Sequence, residues 1–145
     1  MSLIPYLIVD DANAAIHFYQ AAFGAKEHVR LADPNDKVMH AEIRIGQSQI
    51  MLADEFPEMG YQSPQTLGGS AVSLLLYVDD VDAVFEAAIA AGAVETMPVT
   101  DQFDGDRRGT LTDPFGHRWL LATQKEEILP DELKQRFGRM LEADL

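Results

Sequence analysis

The chain repeats itself, and the repeat limits what it can fold into. Tyr6–Ala25 reads YLIVDDANAAIHFYQAAFGA, and Leu75–Ala93 reads LLYVDDVDAVFEAAIAAGA. Each copy is an apolar run, then Val-Asp-Asp, then a helical pattern closing on Gly-Ala, with Val9 and Val78 offset by 69 positions. Further on, IGQSQIMLAD (Ile45–Asp54) is matched by FGHRWLLAT (Phe115–Thr123) at nearly the same offset. Agreement in order at both ends of a stretch of roughly 50 residues predicts two copies of one supersecondary unit.

Each copy reads as strand, helix, then three strands. In the first, Ile4–Val9 is an apolar run of strand length. Asp10 or Asp11 can cap the following helix, because a short carboxylate accepts its unpaired N–H groups. From Ala12 to Phe23, residues Ala15, Ile16, Tyr19 and Phe23 share one face, opposite Asn13, His17 and Gln20. Gly24 supplies the stop. Glu27–Ala32 is a short strand, and Asp33–Asp36 is a turn. Val38–Ile45 alternates, with Met39, Ala41, Ile43 and Ile45 on one side and His40, Glu42 and Arg44 on the other. Gln49–Ala53 is the fourth strand.

Residues 56–70, rich in Pro, Gly, Ser and Gln, form a linker without apolar period. The second copy runs through the strand Val72–Val78, the helix Asp80–Ala91, and the strands Glu95–Val99, Gly109–Thr112 and Arg118–Thr123. Asp113–Trp119 reads as a hairpin turn, with Trp119 on the helix side. Pro130 opens a last amphipathic helix striped by Leu133, Phe137, Met140 and Leu141. The chain is expected to be one domain: a first module over 3–55, a second over 71–124, and a helical extension over 125–145.

Composition narrows the function. The 145 residues include no cysteine, which excludes disulfides, thiolate metal sites and a thiol nucleophile. A net charge of −13 opposes phosphate binding and so argues against a nucleic-acid partner. The same field favours cationic ligands on approach, or serves solubility alone. No apolar run approaches a membrane span. Leu3–Val9 lacks the basic flank of a signal segment, so a cytoplasmic location is expected.

The blocks IPYLIVDDANAAIHFYQAAFGA, HAEIRIGQSQIMLADEFPE and GDRRGTLTDPFGHRWLLAT resemble the vicinal-oxygen-chelate superfamily. That superfamily includes glyoxalase I, bleomycin-resistance proteins and extradiol dioxygenases, and the blocks are closest to its PhnB-like branch. The resemblance spans residues 3–124. It implies an α+β fold in which tandem βαβββ modules form a curved, barrel-like mixed sheet with helices outside and a cleft on the concave side. Small members commonly dimerise, so a homodimer is expected.

Alternation then directs Tyr6, Ile8, His40, Glu42, Met51 and Ala53 into the cleft from the first module. Ser73, Leu75, Tyr77, Thr110, Thr112, Arg118 and Leu120 enter it from the second. Metal-dependent members carry His or Gln on the first strand and Glu on the fourth strand of each module. Carried over, those places fall on Ile4, Met51, Ser73 and Leu120, which offer no ligand set for a divalent ion. No metal or other cofactor is therefore expected. A replacement set would need His40 and Glu42 joined by Asp54 or His117.

His40 and Glu42, two apart on one strand, are the candidate catalytic pair, because a carboxylate beside an imidazole orients it and raises its basicity. The other reading makes them a hydrogen-bonded polar pair. The candidate ligand-binding residues are Tyr6, Met51, Ser73, Tyr77, Phe103, Arg107, Thr110 and Leu120. Arg107 matches the branch's arginine and can clamp an anion, or else form a salt bridge with Asp104, Asp106 or Asp113. The branch's aromatics are missing at Asp104 and near Arg108, which implies a different ligand. The expected function is small-molecule binding. The alternative is a lyase, isomerase or dioxygenase, either metal-dependent through non-standard ligands or metal-free through His40 and Glu42.

Overall fold

A computed structural model describes residues 1–144. Strand β1 (Tyr6–Val9) leads into helix α1 (Ala12–Phe23), then β2 (Lys26–Ala32), β3 (Val38–Ile45) and β4 (Ser48–Asp54). The second module repeats the order with β5 (Ser73–Tyr77), α3 (Val81–Ala90), β6 (Val94–Asp101), β7 (Asp106–Thr112) and β8 (Arg118–Gln124). Between them lies a four-residue helical turn, α2 (Pro64–Leu67), and α4 (Pro130–Ala143) ends the chain. The linker is not featureless. A 3₁₀ turn at Pro57–Met59 and a bridge between Phe56 and Tyr61 precede α2, and Phe56 is buried.

Each module makes one four-stranded mixed sheet, ordered β1-β4-β3-β2 and β5-β8-β7-β6. The first and fourth strands pair in parallel, and the other neighbours are antiparallel. No ladder joins the two sheets among the described residues, so there is no closed barrel.

The repeat's signature residues do the same work twice. Asp11 and Asp80 accept from the N–H groups of Ala14 and Ala83 and cap α1 and α3. At the end of the fourth strand, Asp54 accepts from Ala12 N–H, the first of α1, at 2.7 Å. Its repeat mate Thr123 accepts from Val81 N–H, the first of α3, at 2.9 Å. Gly24 closes α1 in the left-handed conformation at φ 67°.

Burial follows the alternation over most of the first sheet, although Ala53, expected in the cleft, is fully buried. Leu7, Val9, Ala41, Ile43, Ile45, Ile50 and Leu52 face α1 and are buried. Met39 does not join them. The β2–β3 register slips, with Leu31 opposite His40 but Ala32 opposite Val38, so Val38 takes the buried place and Met39 is 45% exposed. A bulge of this kind reverses the facing of whatever precedes it.

The modules share one core through α1, α3 and the β7–β8 hairpin. Trp119 stands 4.7 Å from Phe23 and 5.5 Å from Tyr19 between ring centroids. At the centre, buried Asp113 accepts from Tyr19 Oη at 2.6 Å, Trp119 Nε1 at 2.9 Å, and the backbone N–H groups of Phe115 and His117. Helix α4 buries no residue.

Candidate functional site

On the face of the first sheet away from α1, alternation lines up β1, β4 and β3. Tyr6 pairs with Met51, and Met51 pairs with Glu42. A continuous hydrogen-bonded row crosses this face. Tyr6 Oη lies 2.9 Å from His40 Nδ1, His40 Nε2 lies 2.9 Å from Glu42 Oε2, and Gln49 Nε2 donates to Glu42 Oε1 at 2.9 Å. A carboxylate only accepts, so the proton of neutral His40 sits on Nε2 and Nδ1 accepts from the Tyr6 hydroxyl. Burial, then the neighbouring Tyr61 phenol, then Glu42 hold the Tyr6 pKa above the usual phenol value.

On the second sheet, Ser73, Leu75 and Tyr77 point away from α3 and are exposed. Leu75 pairs with Leu120, and Leu120 pairs with Thr110. Tyr77 Oη donates to Asp106 at 2.7 Å, a bond that raises the Tyr77 pKa. Arg108 reaches Asp104 at 2.9 Å and Asp106 at 3.3 Å on the same cluster.

Two candidates lie elsewhere. Arg107 has the parity of Gly109 and Leu111, which places it on the helix side of β7. It binds Asp82 of α3 through Nε (2.8 Å) and Nη2 (3.0 Å), and Asp101 at 3.2 Å. Neither an anion clamp nor a bridge to Asp104, Asp106 or Asp113 is formed; the adjacent Arg108 has the opposite parity and faces away from α3. Phe103 packs on Phe137 of α4 at 5.8 Å, and its carbonyl accepts from Arg136.

The donor chemistry does not fit the family's divalent ion. Met51 stands beside Tyr6 and Leu120 beside Leu75, and Ile4 and Ser73 add no ligand nitrogen or carboxylate. The replacement set does not assemble either. Both Asp54 oxygens are taken, by the N–H groups of Ala12 and Val38. His117 Nε2 lies 3.0 Å from the Ile8 carbonyl, and both Glu42 oxygens are engaged. Among the described residues, no three His, Asp or Glu side chains converge to hold a metal ion.

The structure therefore gathers Tyr6, His40, Glu42 and Met51 on one face and Ser73, Tyr77, Thr110 and Leu120 on another. Gln49, Asp104, Asp106 and Arg108 join them. Alternation counted from Met51 and Thr110 points to Gln49, Arg108 and Asp106. A cleft of about 540 Å³ opens between residues 2–5, the β3–β4 hairpin and Leu74–Leu76; Gln49 and Leu75 line it, whereas Tyr6, His40, Glu42, Met51, Tyr77 and Leu120 do not.

The chain shares 45% identity over 136 residues with an uncharacterized protein of Mycobacterium bovis, covering 92% of this chain and 90% of that protein. Among solved structures, it resembles protein PA1353 of Pseudomonas aeruginosa, with a TM-score of 0.69 and 26% identity over 87% of this chain and 99% of that one. An Arabidopsis thaliana gene product aligns with a TM-score of 0.68 and 30% identity, over 84% of this chain and 98% of that one. A family model matches residues 3–121, a span that takes in almost all of both modules, and the chain belongs to the Glyoxalase/Bleomycin resistance protein/Dioxygenase superfamily.

Proposed function

We propose that this protein binds a small organic molecule against the helix-distal faces of its sheets, in a cleft completed by a second copy, without the family's usual divalent ion. The observation that carries this is the make-up of those faces. Apolar Met51, Leu75 and Leu120 surround a few convergent polar groups: Tyr6, His40 and Glu42 on one sheet, Tyr77, Asp106 and Arg108 on the other. Mostly apolar walls with a few placed polar groups are the usual composition of a ligand site. Tyr6, Leu75, Tyr77 and Met97 remain 41–61% exposed in the single chain, which favours a covering partner. The net charge of −13 favours neutral or cationic ligands. Placement in the PhnB-like branch belongs to the same proposal and rests on the sequence blocks quoted above.

Thermal-shift screening against neutral and cationic aromatic metabolites tests the reading. A stabilising ligand whose effect is lost in Leu120→Ala and Tyr77→Ala is expected, with a dimer by light scattering. Calorimetric titration with zinc, nickel and manganese should show no tight site. A submicromolar stoichiometric metal site, or a monomer that binds nothing, overturns the proposal. The Tyr6–His40–Glu42 row favours one further reading, metal-free proton transfer.

A further inference from the structure

The row on the first sheet has a direction. Glu42 is pinned by Gln49 and orients His40, the bare Nδ1 of His40 faces Tyr6 Oη, and Tyr6 is the member at the exposed end. An orienting acid, an imidazole base and a hydroxyl in hydrogen-bond sequence form the general arrangement of a base-activated nucleophile. We propose that Tyr6 Oη is the reacting atom of this site. It takes the proton of an acidic O–H on a neutral or cationic ligand as its own phenol proton passes to His40 Nδ1; the ligand O–H bond breaks, the Tyr6 O–H bond re-forms, and Glu42 holds the resulting imidazolium. This rests on the metal-free proton-transfer reading. The Tyr6 pKa lies above the ordinary phenol value, so its reactivity depends on the adjacent His40 Nδ1 rather than on standing phenolate. Tyr77, hydrogen-bonded to a carboxylate, and Tyr61 serve as internal comparisons.

p-Nitrophenyl acetate reads this property without knowledge of the natural ligand. Tyr6 Oη forms a bond to the acetyl carbon, the ester C–O bond breaks, p-nitrophenolate leaves, and the phenol proton passes to His40 Nδ1. The expected result is acetylation of Tyr6 in preference to Tyr61 and Tyr77, located by peptide mass spectrometry. It should be lost in Tyr6→Phe and slowed about 10²–10⁴-fold in His40→Gln. Nitrogen-15 spectra should show His40 protonated on Nε2 in the wild type and a mixture of tautomers in Glu42→Gln, with slower acetylation there. Equal labelling of the three tyrosines, an unchanged rate in His40→Gln, or a His40 proton on Nδ1 would overturn the inference. If library ligands bind and Tyr6 does not react, this inference fails and the binding proposal stands. If Tyr6 reacts and no ligand binds, the reverse holds.

Discussion

Replacing Asp113 by Asn tests whether one buried carboxylate ties the modules together. Asp113 is 3% exposed and accepts four hydrogen bonds, two from side chains and two from backbone N–H groups. Oδ1 serves Phe115 and His117; Oδ2 serves Tyr19 and Trp119. Asn keeps one oxygen. If it stays on the backbone pair, the new NH₂ group faces Trp119 Nε1, which can only donate. The Tyr19 hydroxyl can turn to accept, but the indole N–H is left unpaired. A buried unsatisfied donor costs about 1–3 kcal/mol, and a hydrogen bond to a charged group contributes about 1.5–3 kcal/mol. The expected loss is therefore about 2–4 kcal/mol for Asp113→Asn. Tyr19→Phe leaves the carboxylate three donors and should lose about 1.5–2 kcal/mol. Urea unfolding gives both values if the slope is unchanged. In the double variant, Tyr19→Phe should cost less than it does alone, because the charged partner is gone. An Asp113→Asn change below about 0.5 kcal/mol, the ordinary surface value, would refute the reasoning.

The remaining predictions are compact. Asp54→Asn turns one of two backbone acceptors into a donor at the α1 terminus, and should cost about 1–3 kcal/mol in urea unfolding. Thr123→Ala should cost about 0.5–2 kcal/mol, as loss of a helix cap does. A Cβ at Gly109 would stand 2.7 Å from Val99 Cγ2 and 2.9 Å from Phe85 Cε2, so Gly109→Ala should lose about 1–3 kcal/mol by overpacking. Arg107→Ala should leave ligand binding unchanged in a thermal-shift titration, since the side chain is spent on Asp82 and Asp101. Asp82 is held below its ordinary 3.8 chiefly by the Arg107 hydrogen bond, and Glu55 below 4.5 by hydrogen bonds from Ser63 and Thr66. Their contributions are present above those ordinary values and lost as pH falls through the lower folded ones, so Asp82→Asn with Glu55→Gln should flatten the acid limb of stability against pH.

The modules were legible because each was written twice. Strand alternation placed Tyr6, His40, Glu42, Met51 and Leu120 on the correct faces, and the repeat located both helices. What escaped depended on interactions that no single period records. The slip that exchanges Met39 for Val38 is set by pairing with β2 across the turn that joins them, not by the alternation of β3 alone. Arg107 was assigned by resemblance to a family position, whereas parity with Thr110 selects Arg108. Phe103 was read as a ligand contact because the place of α4 in the fold has no signature in the β6–β7 loop. The role of Asp113 was hidden inside a turn motif, because its aromatic donor Tyr19 comes from the other module, 94 positions away.

Superposing the two ladders separates scaffold from site. Ala41 pairs with Leu52, and Gly109 pairs with Leu121. Ile43 pairs with Ile50, and Leu111 pairs with Trp119. These helix-facing places hold apolar residues or glycine in both copies, because each must pack against a helix. The places beside them on the other face have diverged. Tyr6, His40, Glu42 and Met51 of the first copy correspond to Leu75, Arg108, Thr110 and Leu120 of the second. Packing does not require that difference, since the helix-distal faces are not packed on either helix. A tyrosine, an imidazole and a carboxylate joined in one row occur in the first copy, and an aliphatic, a cation and a hydroxyl stand in their places in the second. The change from polar and titratable to aliphatic, cationic and hydroxyl side chains lies on the helix-distal face, whereas the helix-facing places above change only among apolar residues and glycine. Under the binding proposal, a ligand held on the helix-distal faces meets the tyrosine, imidazole and carboxylate on the first module and mostly apolar side chains on the second.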